Sequence, residues 1–397
     1  MHAALKDLDA LFQPIGAEAF INDYFDQKPL HLKGSADKFQ EVMTWSHLGN
    51  LLSQLSLWSQ RSMELVLDKQ RVAPDQYCAP AIGRDGHQVL RPDAKKVKAF
   101  LSRGATLVAN DIDYLTPGMR QVASLLETAF GAKAQANLYL SSKRRQGFSA
   151  HYDTHDVFAL HVEGEKTWHL YSGRGTHPIA HPAFELPMEQ KEREKGELVT
   201  EVRMQPGDLL YLPRGWYHDA LADDGGCVHI AMGLTYPIGL DVLGTLFERC
   251  VAEPAFRQNL PRDPAALKEY LETLGAKLYD VVTSDPVLQQ TKALQSGFAY
   301  DREAYHLPDL LEEPAIDFQV QANGIRLVEQ GGRFGLLKEG QKGAVEVPAN
   351  VSPMVAWVLE RDAFALSDLC QAFSKEPKTN VEQFVEDMKR MALIRAA

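Results

Sequence analysis

The sequence predicts a mainly β core with α additions, and three observations carry that expectation. Residues from about Ala134 to Tyr236 hold many short apolar stretches with strand-like alternation, separated by frequent Gly, Pro, Asp and Asn turn signals, which argues for an all-β barrel or jelly roll. From about Gly239 the apolar spacing becomes helical. The final portion pairs two strand-like pieces with three short helices. A chain of 397 residues has ample material for a large core. These changes of character divide it into 1–238, 239–313 and 314–397.

Taken in order, Ala17–Phe25 has helical apolar spacing, and 27–34 reads as an extended segment ended by a turn at Gly34. Residues 45–58 form an amphipathic pattern through Trp45, Leu48, Leu51, Leu52, Leu55 and Trp58. A short helix over 97–101 precedes a buried strand over 106–110. Leu115–Phe130 is helical, its Thr116-Pro117 start suiting a cap followed by a first turn. In the strand-rich block, Ala136–Leu140 is one strand and Phe148–Asp153 another. Val157–Val162 alternates, and Gly164-Glu165 reads as a hairpin turn into Lys166–Tyr171. Val202–Met204, a turn over 205–208, Leu209–Pro213 and Val228–Thr235 complete the set. A polar, acidic insertion lies between Ser172 and Thr200 and carries Glu185, Glu189, Glu192, Glu194 and Glu197; loops of that length are functional lids or disordered.

Beyond the strands, 240–251, 263–274 and 276–282 read as amphipathic helices. Strand-like 324–328 and 334–338 precede helices near 353–360, 366–373 and 381–391. This last arrangement resembles a winged helix, yet acidic and basic residues nearly balance there, so DNA binding is not expected. The formal charge of -11 disfavours a general nucleic-acid binder and suits a basic protein partner. Four scattered cysteines, Cys78, Cys227, Cys250 and Cys370, read as reduced thiols of a cytoplasmic protein. The start at Met1–Asp7 lacks a charged region followed by an apolar run, and no segment approaches membrane-spanning length.

The chemistry concentrates at His151-Tyr152-Asp153. On a strand, side chains two apart share a face, so His151 and Asp153 would present an imidazole nitrogen and a carboxylate oxygen side by side. One more ligand from a neighbouring strand would give two histidines and one carboxylate on one face of a metal, the set of non-haem Fe(II) oxygenases. His155, His161, His169, His177, His181 and His229 read as ordinary core or surface histidines, and Cys227 as a packed thiol.

With Pro213-Arg214-Gly215-Trp216-Tyr217-His218 as its second motif, the chain resembles the cupin-fold JmjC oxygenases, and among them the ribosomal oxygenase branch. The resemblance covers most of the chain. It implies a double-stranded β-helix core, a helical dimerisation region, hence a homodimer, and a C-terminal winged-helix domain. It implies that His151, Asp153 and His218 bind Fe(II), with 2-oxoglutarate and O2 as co-substrates. Lys166, fifteen positions after His151, would pair with the distal carboxylate of 2-oxoglutarate, shared by the Tyr139 hydroxyl, with Asn137 and Ser142 as further pocket residues. At the cation position lysine looks more like the eukaryotic members than like bacterial relatives with arginine. The implied activity is hydroxylation of a histidine or arginine side chain in a basic ribosomal protein. An N-methyl demethylase and a small-molecule 2-oxoglutarate oxygenase share the same triad and co-substrate. A non-catalytic cupin would lack the ligands and the cation.

Overall fold

The computed structural model describes residues 7–83, 86–142, 147–302, 317–322, 324–340 and 343–396. The 313/314 boundary and the residues Met1–Lys6 lie outside them. The chain divides into two compact units, residues 1–302 and 303–397.

The first unit is built on strands β1 (Leu30–Leu32), β2 (Met63–Leu67), β3 (Gln70–Arg71), β4 (Cys78–Ile82), β5 (Gln88–Pro92), β6 (Thr106–Ala109), β7 (Lys133–Ser141), β8 (Asp156–Arg174), β9 (Leu198–Met204), β10 (Leu209–Leu212) and β11 (Trp216–Thr235). Nine form one antiparallel sheet in the order β1-β10-β8-β11-β7-β6-β2-β3, with β9 also on β8, while β4 and β5 pair separately. β8 and β11 lie against one another almost end to end. The first half of β8 has β10 on its other side, from Val157 to Leu160. The second half has β9, from Lys166 to Tyr171.

That handover happens at Gly164, where the sequence suggested a hairpin. The strand does not reverse. Gly164 takes φ +69°, and a Cβ there would stand 1.9 Å from the Gly226 carbonyl oxygen. A left-handed glycine serves a bulge or kink as readily as a turn, and the facing register shift between Ala222 and Cys227 accommodates it. Bending carries β8 from one wall to the other. Side chains therefore sort in alternation. Phe158, Leu160 and Val162 join the main core with Phe12, Phe20 and Tyr211. Val157, Ala159, Trp168 and Leu170 form an inner cluster with Val202, Met204, Leu210 and Leu212.

Other elements differ in extent. The helix expected over 45–58 stops at Ser53. The one starting at Pro117 runs to Phe130, with the Thr116 hydroxyl accepting from the Met119 N–H and left-handed Gly131 closing it. The stretch 148–153 is not a strand: His151 alone bridges to His218, and the chain bends at Thr154 before β8 begins. β11 opens at Trp216, twelve residues before the strand expected at Val228. The 172–200 insertion contains a 3-10 turn (Pro182–Phe184) and a helix (Met188–Glu194), its base tied down by Ser172 N–H to the Glu197 carbonyl and Gly173 N–H to the Lys195 carbonyl. Helices Gly239–Ala252, Pro264–Val282 and Asp285–Ser296 follow, the second running unbroken through Gly275. Among the described residues no helix is long and apolar enough to cross a membrane.

The second unit has its own core, including Phe318, Val358, Leu369, Val381 and Met388. Two three-stranded sheets flank helices Ser352–Leu359, Leu366–Ala372 and Lys378–Arg390.

Candidate metal centre

His151 and His218 meet through paired backbone hydrogen bonds of 3.0 and 2.8 Å. Each ring is oriented identically. The Nδ1 of His151 donates to the Ser149 carbonyl at 2.8 Å, and that of His218 to the Trp216 carbonyl at 2.9 Å. These bonds fix the tautomer and leave both Nε2 lone pairs free to bind a metal. Asp153 stands between them, Oδ1 4.0 Å from His151 Nε2 and Oδ2 3.6 Å from His218 Nε2. One ligand atom from each residue lies within 4.8 Å of the others. Burial alone would raise the Asp153 carboxyl, but His151, His218 and His155 around it hold it below the ordinary carboxylate range. Burial, aided by His151, pushes His218 down to about 4. Asp153 is thus a carboxylate and His218 a neutral imidazole, the protonation a divalent cation requires of its ligands. Although 151 and 153 do not belong to a regular strand, their side chains converge.

Behind the triad a chamber is lined by Thr106, Tyr139, Ser141, Lys166, Trp168 and His229, with Val157, Ala220, Ala222 and Ala231 as apolar wall. Lys166 enters from β8 just past the kink and is buried. Among the described residues it forms no ion pair. Its Nζ lies 3.5 Å from His229 Nδ1 and over the rings of Trp168 and Tyr139 at 5.7 and 5.9 Å. Burial draws its pKa below the ordinary lysine value. A cation sunk without a carboxylate partner is costly, and it makes the chamber a receptor for a small anion.

The other sequence-derived residues are placed as follows. Tyr139 lines the chamber and stacks on His229 with centroids 4.8 Å apart; burial, then Asp153, raises its pKa. Asn137, one alternation further along β7, accepts the Asp111 N–H at 3.2 Å and sits beside the Tyr139 hydroxyl. Ser142 does not reach the chamber. Its hydroxyl donates to the Leu101 carbonyl, because alternation on β7 turns Ser141 inward instead. Ser141 holds Thr106 there, Oγ to Oγ1, at 3.0 Å. His229 and Trp168 were also not singled out as site residues. Register would have found His229, which lies opposite Tyr139 on the neighbouring strand.

The site thus joins a bent antiparallel β-core, two histidines and an aspartate on one wall, and a buried cation behind them. Residues 109–242 match the JmjC domain family. It is 29% identical over 297 residues to a Dictyostelium discoideum protein named bifunctional lysine-specific demethylase and histidyl-hydroxylase NO66, covering 70% of this chain and 52% of that one. It is 29% identical over 321 residues to mouse (Mus musculus) ribosomal oxygenase 2, covering 77% of this chain and 65% of that protein. Of the Drosophila persimilis NO66 protein the chain spans only 31% of the length, at 27% identity over 57% of this chain. Among solved structures, the ribosomal oxygenase YcfD from Escherichia coli aligns over 96% of this chain and 97% of its own, at 15% identity and a TM-score of 0.46.

Proposed function

We propose that this chain is an Fe(II)- and 2-oxoglutarate-dependent oxygenase that hydroxylates a histidine or arginine side chain of a basic ribosomal protein. The observation that carries the reading is the pairing of a three-ligand facial site with a buried cation that has no counter-ion among the described residues, in one chamber. His151, Asp153 and His218 would hold the iron from one side, since their donors converge and both Nδ1 atoms are already engaged. Lys166 would hold the distal carboxylate of 2-oxoglutarate, with Tyr139, and with Ser141 in the place expected of Ser142. Asn137 braces Tyr139. When bound, iron and 2-oxoglutarate supply the oxidising chemistry with O2, the co-substrate leaving as succinate and carbon dioxide. The chain's own work is to ligate, to orient and to keep water out. Val157, Ala220, Ala222 and Ala231 line the chamber with surface that water does not solvate well, which would strengthen an ion pair between Lys166 and the bound carboxylate.

Further parts of the reading concern the whole protein. Leu240, Leu243, Phe247, Leu271 and Tyr279 are exposed on the helices after the β-core, which supports a helical region (239–313) that joins two copies. The strand-and-helix content of the second unit supports a winged-helix domain (314–397) without DNA binding. A cytoplasmic location fits a ribosomal target.

The test is intact mass spectrometry of ribosomal proteins from cells with and without the gene. A protein lighter by one oxygen atom in the deletion strain names the substrate, and fragmentation decides between histidine and arginine. A mass difference of one methylene would favour demethylation, the other activity for which the NO66 relatives are named. In purified protein, His151→Ala or Asp153→Ala is expected to abolish substrate-linked succinate formation, and normal turnover in either would refute the triad.

A further inference from the structure

Three residues past Asp153, at the first position of β8, Asp156 is almost wholly buried, with 2% of its surface exposed. It touches neither the chamber nor the triad. Its two oxygens serve different segments. Oδ1 accepts the backbone N–H of Arg214 at 2.8 Å, and Oδ2 accepts the hydroxyls of Tyr211 and Tyr236, both at 2.9 Å. The other end of the Arg214 peptide is also held, because its carbonyl accepts Arg174 Nε at 3.0 Å. Arg174 in turn donates Nη1 to the Asp26 carbonyl at 2.9 Å and pairs with the Asp26 carboxylate. The Asp26 N–H donates to the Tyr211 hydroxyl at 2.9 Å, which returns the path to Asp156. The result is a closed hydrogen-bonded circuit, Asp156–Arg214–Arg174–Asp26–Tyr211–Asp156.

The circuit encloses the loop that delivers His218. Just inside it, the Gly215 N–H donates to the Asp153 carbonyl at 3.0 Å, and the Gly175 N–H to the Gly215 carbonyl at 2.8 Å. Gly215 has φ +85°, and a Cβ there would stand 2.3 Å from the Gly175 oxygen. The segments bearing Asp153 and His218 are therefore pinned to each other on both sides of the ion's position, by the His151–His218 bridge and by this circuit. Buried, fully partnered networks of this kind hold geometry in a way that single bonds do not.

We propose that Asp156 is a positioning residue for the metal centre, setting the His218 loop against Asp153 through the Arg214 amide. This rests on the reading of His151, Asp153 and His218 as metal ligands. Replacing a residue that orients the ligands typically costs about 10–100-fold in metal affinity. The two oxygens divide the work: Oδ1 carries the loop, and Oδ2 anchors the carboxylate in the core.

The experiment is Co(II) titration of the full chain, followed by its visible d–d absorption. The parent is expected to bind one ion with a defined band. Asp156→Asn is close in shape but cannot serve every donor. It is expected to weaken Co(II) about 10–100-fold and to alter the band. Tyr236→Phe removes one donor from the anchoring oxygen and is expected to lower thermal stability while leaving Co(II) affinity within about twofold. Should Asp156→Asn not fold, Arg214→Pro deletes the same bond from the donor side, with Arg214→Ala as its side-chain control; only the proline variant is expected to lose affinity. The proposal is overturned if Asp156→Asn, or Arg214→Pro in its stead, keeps the parent affinity and band. It is equally overturned if Tyr236→Phe weakens the ion as much as Asp156→Asn. A parent that binds no Co(II) would instead remove the metal reading itself, and this inference with it.

Discussion

Lys166 is a residue whose buried charge opposes folding and, in the proposed function, holds the co-substrate. Its ammonium is desolvated and unpaired among the described residues, so replacing it by an apolar side chain of similar length relieves a cost. Lys166→Met is expected to raise the melting temperature while weakening 2-oxoglutarate by about 100-fold or more, an ion pair in a dry pocket being worth roughly 3 kcal/mol. A lower melting temperature with unchanged co-substrate affinity would contradict both halves. Lys38 offers a contrast away from the site. Its ammonium donates to the Leu11 carbonyl at 2.7 Å, and burial draws its pKa down from 10.5 to about 8, partly offset by Asp208. Between those values the unfolded chain binds more protons than the folded one, so this lysine's contribution to stability rises with pH across that window. Below about pH 8 the cost of burying its charge is fully present. The stability of the parent relative to Lys38→Met, from urea midpoints, is expected to climb from about pH 8 to 10.5 and to be flat at lower pH. At this scale much was legible. His151, Asp153, His218, Lys166 and Tyr139 all stand out in the sequence, and all line one chamber. What escaped was the chamber's lining from other strands, His229, Trp168, Thr106 and Ser141, because single-residue reading treats a histidine or serine by its commonest role and cannot see register.

Among elements, the instructive one is β8. Gly164-Glu165 between two alternating stretches carries every mark of a hairpin, and the local signal is ambiguous because a left-handed glycine suits a turn and a kink alike. The choice is made by partners far away in sequence, β9, β10 and β11, none of which can be identified from the local pattern. The same holds for the first half of β11, which pairs with β8 from Trp216 although the sequence marked a strand only from Val228. Helices were easier, since caps and spacing are local, although Gly275 did not break its helix and the one from Trp45 stopped short at Ser53. The kink places Lys166 two positions beyond Gly164 on the inner face. Gly164→Ala is expected to cost about 3 kcal/mol, from forbidden φ and backbone overlap together, and to weaken 2-oxoglutarate through displacement of Lys166. Chemical denaturation within about 0.5 kcal/mol of the parent would show that the Gly226 backbone yields freely.

For the molecule as a whole, each unit is stabilised from within. In the first, the chain is fastened near its end by Arg302, whose guanidinium reaches Asp113 at 2.7 Å and Glu127 at 2.6 Å, all three side chains being buried. Removing one member of such a set strands the others as uncompensated charge. Arg302→Ala is expected to destabilise the first unit by about 3–5 kcal/mol and to leave the second, with its separate core, melting as before. A uniform shift of both would mean that they unfold as one.

The circuit around Asp156 also has a kinetic side. Its bonds join residues 148 and 185 positions apart, Asp26 to Arg174 and Asp26 to Tyr211. Contacts of such separation form late, after long loops have closed. The three candidate ligands therefore come into register only when most of the first unit is already native, so that a metal bound there would not serve as a nucleus for folding. Adding Co(II) to refolding protein should leave the folding rate unchanged and slow unfolding alone, the pattern of an interaction that is absent from the transition state.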